Sequence, residues 1–217
     1  MSAAAPSAVT PAKKPRASKP LPWLVPGVLA GALVPLAALL VRAGSGGLGA
    51  NPVAEALNQL GLTALVLLIV SLACSPLKQI FGWTWPMRVR KTLGLSAFFY
   101  AALHVLTYVG LDQLLDWKAI FSDVTERKFI AVGFLAFLLL APLAVTSTSG
   151  MLKRLGFKRW KRLHRLVYLA AVLGVVHFVW RVKIDVTEPA IYGAVLALLL
   201  ALRFLPERSG KRGPSLT

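Results

Sequence analysis

Histidine is the residue type in this chain whose placement most clearly suggests chemistry. The chain holds three, His104, His164 and His177, and each lies within or at the end of an apolar stretch. A polar ring in the hydrocarbon of a membrane is costly without a partner, so an ionisable residue there is a candidate functional residue. The competing interpretation is a histidine that only joins two helices through a hydrogen bond to a neighbouring Ser or Thr.

His104 and His177 lie at the same depth if their apolar stretches are helices that cross a membrane in the same direction. His104 comes thirteen residues after Lys91, and His177 comes thirteen residues after His164. Counted from those cytoplasmic ends, both imidazoles lie toward the outer leaflet. Two neutral imidazoles at one depth suit the two axial positions of a haem iron, and an apolar bundle suits the porphyrin faces. The spacing predicts one bis-histidine haem with these two ligands.

His164 does not fit that pattern. At ~1.5 Å per residue it lies roughly 20 Å from His177 along the same helix, near the cytoplasmic surface. A second haem below the first would need a histidine thirteen or fourteen positions before His104, where the chain has Lys91 and Arg90. Three roles for His164 stay open: ligand of an inner cofactor with an unconventional second ligand, part of a propionate, flavin or quinone site, or an interfacial residue without a redox role.

Membrane-spanning helices are the elements that must position these histidines. More than half of the residues are apolar, and runs of about 17–20 apolar residues are long enough to cross a ~30 Å hydrocarbon core. Six runs have that length: 23–41, 56–74, 92–110, 129–146, 164–180 and 189–205. Because each run must satisfy its own backbone hydrogen bonds in lipid, we predict an all-α membrane protein with six transmembrane helices that form a cytochrome b-like haem-binding bundle.

The distribution of charge sets the orientation and argues against nucleic acid as a partner. The net charge is +17, from 25 Lys and Arg against eight Asp and Glu. If the N-terminus is cytoplasmic, the inner side holds 19 of the basic residues and the outer side holds seven of the eight carboxylates. Such asymmetry follows the positive-inside rule, so both termini are predicted to be cytoplasmic. The basic loops are expected to contact anionic membrane lipid.

Part of this basic inner rim could bind an anionic group. Guanidinium groups bind carboxylates and phosphates through paired hydrogen bonds, which makes a haem propionate or a flavin phosphate a suitable ligand. The alternative is that these residues only set topology and contact headgroups. The predicted cofactor-binding residues are Arg90, Lys91, Arg159, Arg162 and Arg165.

The chain divides into one membrane domain and two tails. Residues 1–20 are rich in Ala, Pro, Ser and Lys and are predicted to be a disordered cytoplasmic tail. Residues 21–207 form the six-helix domain, and residues 208–217 form a second cytoplasmic tail. The external loop 111–128 is expected to end in a capping box for the fourth span, with Ser122 or Asp123 as the N-cap.

Three segments of the chain resemble the MsrQ family of the ferric-reductase-like transmembrane superfamily. They read SLACSPLKQIFGW, RVRKTLGLSAFFYAALHVLTYV and LAVTSTSGMLKRLGFKRWKRLHRLVYLAAVLGVVHFVW. The resemblance covers roughly residues 70–207, and the family's histidines match His104, His164 and His177. It implies a six-helix b-type cytochrome in the bacterial inner membrane, with haem b and FMN as an optional second cofactor.

The resemblance also implies a function in electron transfer. A quinol or a flavin reductase would donate electrons, and a periplasmic molybdopterin-containing catalytic subunit would use them to reduce oxidised methionines in envelope proteins. The chain would then be an electron-transfer subunit and not itself an enzyme. Two other functions stay open: a stand-alone transmembrane ferric reductase and a small transporter. A transporter usually shows broken helices or polar midplane residues, which these spans offer sparingly.

Overall fold

The computed structural model describes residues 21–182 and 184–203, and all regular structure within them is helical. The helices are α1 Leu24–Gly44, α2 Pro52–Phe81, α3 Pro86–Thr107, a π-helical turn Tyr108–Asp112, α4 Trp117–Glu126, α5 Lys128–Val145, α6 Ser149–Leu155, α7 Phe157–Leu163, α8 Leu166–Arg181 and α9 Thr187–Leu202. Both predicted tails, residues 1–20 and 208–217, lie outside the described residues. The all-helical class is confirmed.

Five helical segments in the described part are long and apolar enough to cross a membrane: Leu24–Gly44, Pro52–Phe81, Pro86–Asp112, Lys128–Val145 and Phe157–Arg181. They correspond to the first five predicted spans. The sixth apolar helix, α9, has 16 residues, which is about 24 Å at 1.5 Å per residue and shorter than a typical hydrocarbon core. Six transmembrane helices and cytoplasmic termini therefore stay predictions, whereas a multi-pass membrane protein is established.

Local sequence explains where the second span begins and ends. The Asn51 side chain accepts a hydrogen bond from the Ala54 amide, and Pro52 occupies the first helical position, where no amide donor is needed. Gly82 ends the helix with φ of +70°, a left-handed conformation that glycine adopts without steric cost. These signals extend α2 beyond the predicted apolar run 56–74 at both ends.

Segment 111–128, which was predicted to be an external loop, differs from its prediction. It contains a helix of its own, α4, for which the Asp116 carboxylate is the N-cap and accepts hydrogen bonds from the amides of Lys118 and Ala119. The predicted N-cap at Ser122 or Asp123 is wrong, because both residues lie inside α4 and α5 begins only at Lys128. An N-cap side chain accepts hydrogen bonds from the amides two or three residues after it, and Asp116 is the residue that directly precedes the first turn of α4.

Two helix pairs build the bundle. The most extensive contacts join α2 to α3 and α5 to α8, and α9 packs on both α8 and α2. Ala97 of α3 and Ala171 of α8 are almost fully buried in a core that also includes Leu72 and Leu196. Small side chains at these positions let the helix backbones approach closely, which is how helices associate where lipid is as apolar as the protein.

A hydrogen bond from α3 holds the first helix. The Tyr100 hydroxyl donates to the Ala32 carbonyl at 2.7 Å and accepts from the Leu36 amide at 3.0 Å, so it sits between the two groups of one helical hydrogen bond. The interruption lies next to Pro35, which has no amide proton of its own. Tyr100 is 1% exposed and therefore joins α1 to the bundle from within.

Candidate functional site

The structure brings His104 and His177 together. His104 lies on α3 and His177 on α8, and their ring centres are 6.1 Å apart with the ring planes at 84°. Seventy-three residues separate them in sequence, so helix packing alone creates the pair. The sequence predicted that the two imidazoles lie at one level, from their equal distance to Lys91 and His164. In the structure the two rings face each other at that level.

Each imidazole is oriented by a hydrogen bond to a backbone carbonyl. Nδ1 of His104 lies 2.9 Å from the carbonyl oxygen of Leu57, and Nδ1 of His177 lies 2.7 Å from that of Phe129. A carbonyl oxygen only accepts, so each Nδ1 carries the proton and donates it. The opposite nitrogen, Nε2, then has a free lone pair. A neutral imidazole with this second hydrogen bond is the usual form of a histidine metal ligand.

A glycine of the neighbouring helix makes room for each ring. A Cβ atom at Gly61 would lie 3.2 Å from the His104 ring, and one at Gly133 would lie 2.6 Å from Nδ1 of His177. In both cases the carbonyl that accepts the Nδ1 proton belongs to the residue four positions before the glycine. A missing side chain one turn later leaves that carbonyl accessible. Both histidines therefore use the same arrangement, one on α2 and the other on α5.

The pair fits a six-coordinate haem iron. With metal–imidazole bonds of ~2.0–2.1 Å and about 1.2 Å from each nitrogen to its ring centre, two imidazoles on one metal ion would have ring centres up to about 6.4–6.6 Å apart. The observed 6.1 Å is close to that distance. No group of three or more His, Cys, Asp or Glu side chains converges in residues 21–182 and 184–203. The protein thus offers two ligands at this point, and a tetrapyrrole is a group that supplies the other four.

Arg181 adds a positive charge beside the pair, and sequence reasoning missed it. Its guanidinium donates to the Asn58 side-chain oxygen, lies 5.4 Å from the centre of the Phe178 ring and interacts electrostatically with both imidazoles. The signal was available, because Arg181 follows His177 by four residues and so lies on the same helical face. A cation here can hold an acidic group of a bound cofactor or stabilise added negative charge.

His164 lies away from the pair, at the break between α7 and α8. Its Nδ1 is 3.1 Å from the Trp160 carbonyl oxygen, and its ring stacks on the Trp160 indole with 3.9 Å between ring centres. The indole nitrogen in turn donates to the Thr146 carbonyl at the end of α5. Nε2 of His164 is buried without a hydrogen-bond partner in the described residues. No second histidine faces it, so the three roles left open by the sequence all stay predictions.

The predicted basic rim divides into one residue held within the bundle and several that are not. Arg90 donates to the Ser75 hydroxyl at 3.1 Å and interacts electrostatically with His164. The other four predicted residues are exposed: Lys91, Arg159, Arg162 and Arg165. Arg203, at the end of α9, contacts the same stretch of α2 as Arg90, through the Leu72 carbonyl and the Ser75 hydroxyl respectively. It was not predicted, because nothing local marks a residue at a helix end as part of a site.

These features describe a multi-pass helical membrane protein that carries paired, metal-competent imidazoles in its interior. Residues 58–175 match the model of the family described as "Ferric reductase like transmembrane component". That range includes His104 and His164 and ends two residues before His177.

Relatives that match most of the chain have a more specific name. A protein of Rhodospirillum rubrum is 52% identical over 192 residues, which are 87% of this chain and 92% of the relative. One of Deinococcus radiodurans is 54% identical over 85% of this chain and 91% of its own length. Both are named "Protein-methionine-sulfoxide reductase heme-binding subunit MsrQ". The chain belongs to the MsrQ family.

Proposed function

We propose that the chain is the haem-binding, electron-transferring membrane subunit of a methionine-sulfoxide reductase system. The observation that carries the proposal is the His104–His177 pair, whose ring separation suits an iron between two imidazoles. The names of the two relatives supply the reductase system. Haem b is the cofactor proposed at the pair, with His164 as the remaining candidate ligand.

The residues of the pair do three things for such a cofactor. The two Nε2 atoms would hold the iron of a haem, and a bound haem would supply a one-electron carrier. The hydrogen bonds to the Leu57 and Phe129 carbonyls hold each ring in one tautomer and increase its basicity as a ligand. The apolar helices around the pair exclude water, and Arg181 places a positive charge at its edge.

The direction of electron flow is part of the proposal. A quinol in the bacterial inner membrane or a flavin reductase delivers electrons at the cytoplasmic side, with FMN as an optional carrier. From the His104–His177 pair in the outer half, electrons would pass to a periplasmic molybdopterin-containing catalytic subunit, which would carry out the reduction of methionine sulfoxide. The chain then needs no substrate site of its own. The inner basic residues, above all Arg90, hold the anionic group of a cofactor at the donor side.

Absorption spectroscopy of the purified protein tests the haem proposal. We expect Soret and α bands on reduction, about one bis-histidine haem lost in His104→Ala and again in His177→Ala, and no loss in Leu106→Ala. Leu106 is a suitable control because it lies two residues from His104 on α3 and is 64% exposed. Absence of both bands, or full haem content in His104→Ala, contradicts the proposal.

Reoxidation of the haem tests the partner. A periplasmic methionine-sulfoxide reductase subunit added to the reduced protein should reoxidise the haem in vesicles of known orientation, from the outer face only. Reoxidation by ferric chelates at the same rate without that subunit would favour a stand-alone ferric reductase, the function suggested by the wider family.

A further inference from the structure

We propose that Arg203 and Arg90 form a binding site for a phosphate group at the inner end of α2, α3, α8 and α9. The proposal rests on the proposed function, because it assigns residues and a ligand class to the donor-side anion site named there. It differs from the rim predicted by sequence, since it assigns the site to Arg203 and Arg90 and to none of the exposed basic residues of α7.

A proline positions Arg203. Pro76 lies within α2 and has no amide proton, so the carbonyl of Leu72, four residues earlier, receives no helical hydrogen bond from it. Nη2 of Arg203 donates to that carbonyl at 2.8 Å. The guanidinium also donates to the Tyr168 hydroxyl and lies 4.6 Å from the centre of the Tyr168 ring. Arg203 is therefore held against α2 and α8 at a defined place.

Arg90 is held close by in the seam between α2 and α3. The Ser71 hydroxyl donates to the Arg90 carbonyl at 3.1 Å, and Nη1 of Arg90 donates to the Ser75 hydroxyl at 3.1 Å. The acceptors of the two guanidinium groups, the Leu72 carbonyl for Arg203 and the Ser75 hydroxyl for Arg90, lie three residues apart on α2. Two guanidinium groups held within one turn of the same helix, each tethered by neutral acceptors only, form a site that is selective for an anion.

No protein carboxylate compensates these charges in the described part of the chain. The ion pairs found there are Arg42–Glu55 and Arg127–Asp123, both at the opposite end of the bundle. Nε of Arg203 is buried and lacks a hydrogen-bond partner in the described residues. Leaving a buried cation and its N–H group unsatisfied is costly, and an oxyanion between the two arginines would accept that hydrogen bond and balance the charge.

Phosphate suits this site better than a single carboxylate. A guanidinium has five N–H donors, of which Arg203 uses two and Arg90 one for the protein contacts described above. The remaining donors exceed the two oxygens of a carboxylate, and a phosphate group offers more acceptor oxygens. Such a group could belong to an anionic phospholipid of the inner leaflet or to FMN, and both sources present the same chemistry.

The test compares four proteins in mild detergent: wild type, Arg203→Gln, Arg90→Gln and the control Lys153→Gln. Lys153 is exposed on α6 at the same side of the membrane and contributes the same charge. Native mass spectrometry with added phosphatidylglycerol or phosphatidylcholine reports lipid binding, and titration with FMN followed by fluorescence quenching reports flavin binding. Haem content and the reduced spectrum are recorded on each sample.

We expect wild type and Lys153→Gln to bind either phosphatidylglycerol or FMN. Both arginine variants should bind that probe roughly 10-fold more weakly or not at all. Preference for phosphatidylglycerol identifies a lipid, and quenching of FMN identifies the flavin. Arg203→Lys should recover part of the binding, because it keeps the charge but not the planar donor pattern.

Two results would overturn the site. One is equal probe binding by all four proteins. The other is an Arg203→Gln protein that loses haem while no phosphate probe binds to wild type, which would assign the arginines to a haem carboxylate. The haem at the outer pair is measured independently, so a missing reduced spectrum in wild type would count against the proposed function and not against the phosphate site.

Discussion

Replacing Gly133 by alanine should remove most of the haem affinity that we propose for the His104–His177 pair. A Cβ at this position lies 2.6 Å from Nδ1 and 2.8 Å from Cε1 of His177. Ordinary contacts of a Cβ atom begin at 3.4 Å, so the first of these is 0.8 Å too short. The contacting atoms belong to a ring that is tethered to Phe129 at 2.7 Å, so the ring cannot retreat without breaking that hydrogen bond.

The magnitude follows from how closely a metal ligand must be placed. Ligand distances vary by about 0.2 Å in functional sites, and the displacement required here is several times larger. Loss of a hydrogen bond that orients a ligand typically costs roughly 10- to 100-fold in metal affinity. We expect a decrease in that range for Gly133→Ala, equivalent to about 1.4–2.7 kcal/mol. Gly61→Ala, with a closest approach of 3.2 Å, should change haem affinity by less than about 3-fold.

The assay is titration of the haem-depleted protein with haem, together with the midpoint potential of the bound haem. Gly174→Ala is the matched control, since it lies on α8 one turn before His177 and its Cβ would meet only Leu65, at 3.6 Å. Alanine favours a helix over glycine by about 1 kcal/mol, which offsets part of the strain in Gly133→Ala, and thermal unfolding in detergent checks that each variant is folded. Wild-type haem affinity in a folded Gly133→Ala protein would refute the role of this glycine.

Three further predictions concern residues around the bundle. Arg181→Gln should lower the midpoint potential of the haem by on the order of 50 mV in a redox titration, because the nearby cation favours the reduced state; an unchanged or higher potential would contradict this. Tyr100→Phe should destabilise the protein by about 1–3 kcal/mol in thermal unfolding, since the groups it joins in α1 lose their partner, while the haem spectrum stays the same. Asp116→Ala should speed amide hydrogen exchange in α4 by roughly 5-fold through loss of the N-cap, and equal exchange rates would show that α4 does not depend on it.

The apolar runs were sufficient to predict a helical membrane protein and the depth of the histidines. Length and hydrophobicity are properties of a contiguous segment, and they identified the first five spans. They were less informative at the edges: α2 extends to Phe81 because of its capping residues, and α9 falls short of a full span within the described residues. Helix α4 was not predicted because it is short and has charged residues on one face.

The partners of each histidine could be identified only in the folded chain. His104 and Gly61 are 43 residues apart in sequence, and His177 and Gly133 are 44 apart. Which glycine meets which ring depends on how each helix is rotated about its own axis, and close packing of α2 with α3 and of α5 with α8 sets that rotation. The contact between Arg203 and the Leu72 carbonyl has the same origin. Pro76 frees that carbonyl by local chemistry, but only tertiary packing brings the end of α9 to it.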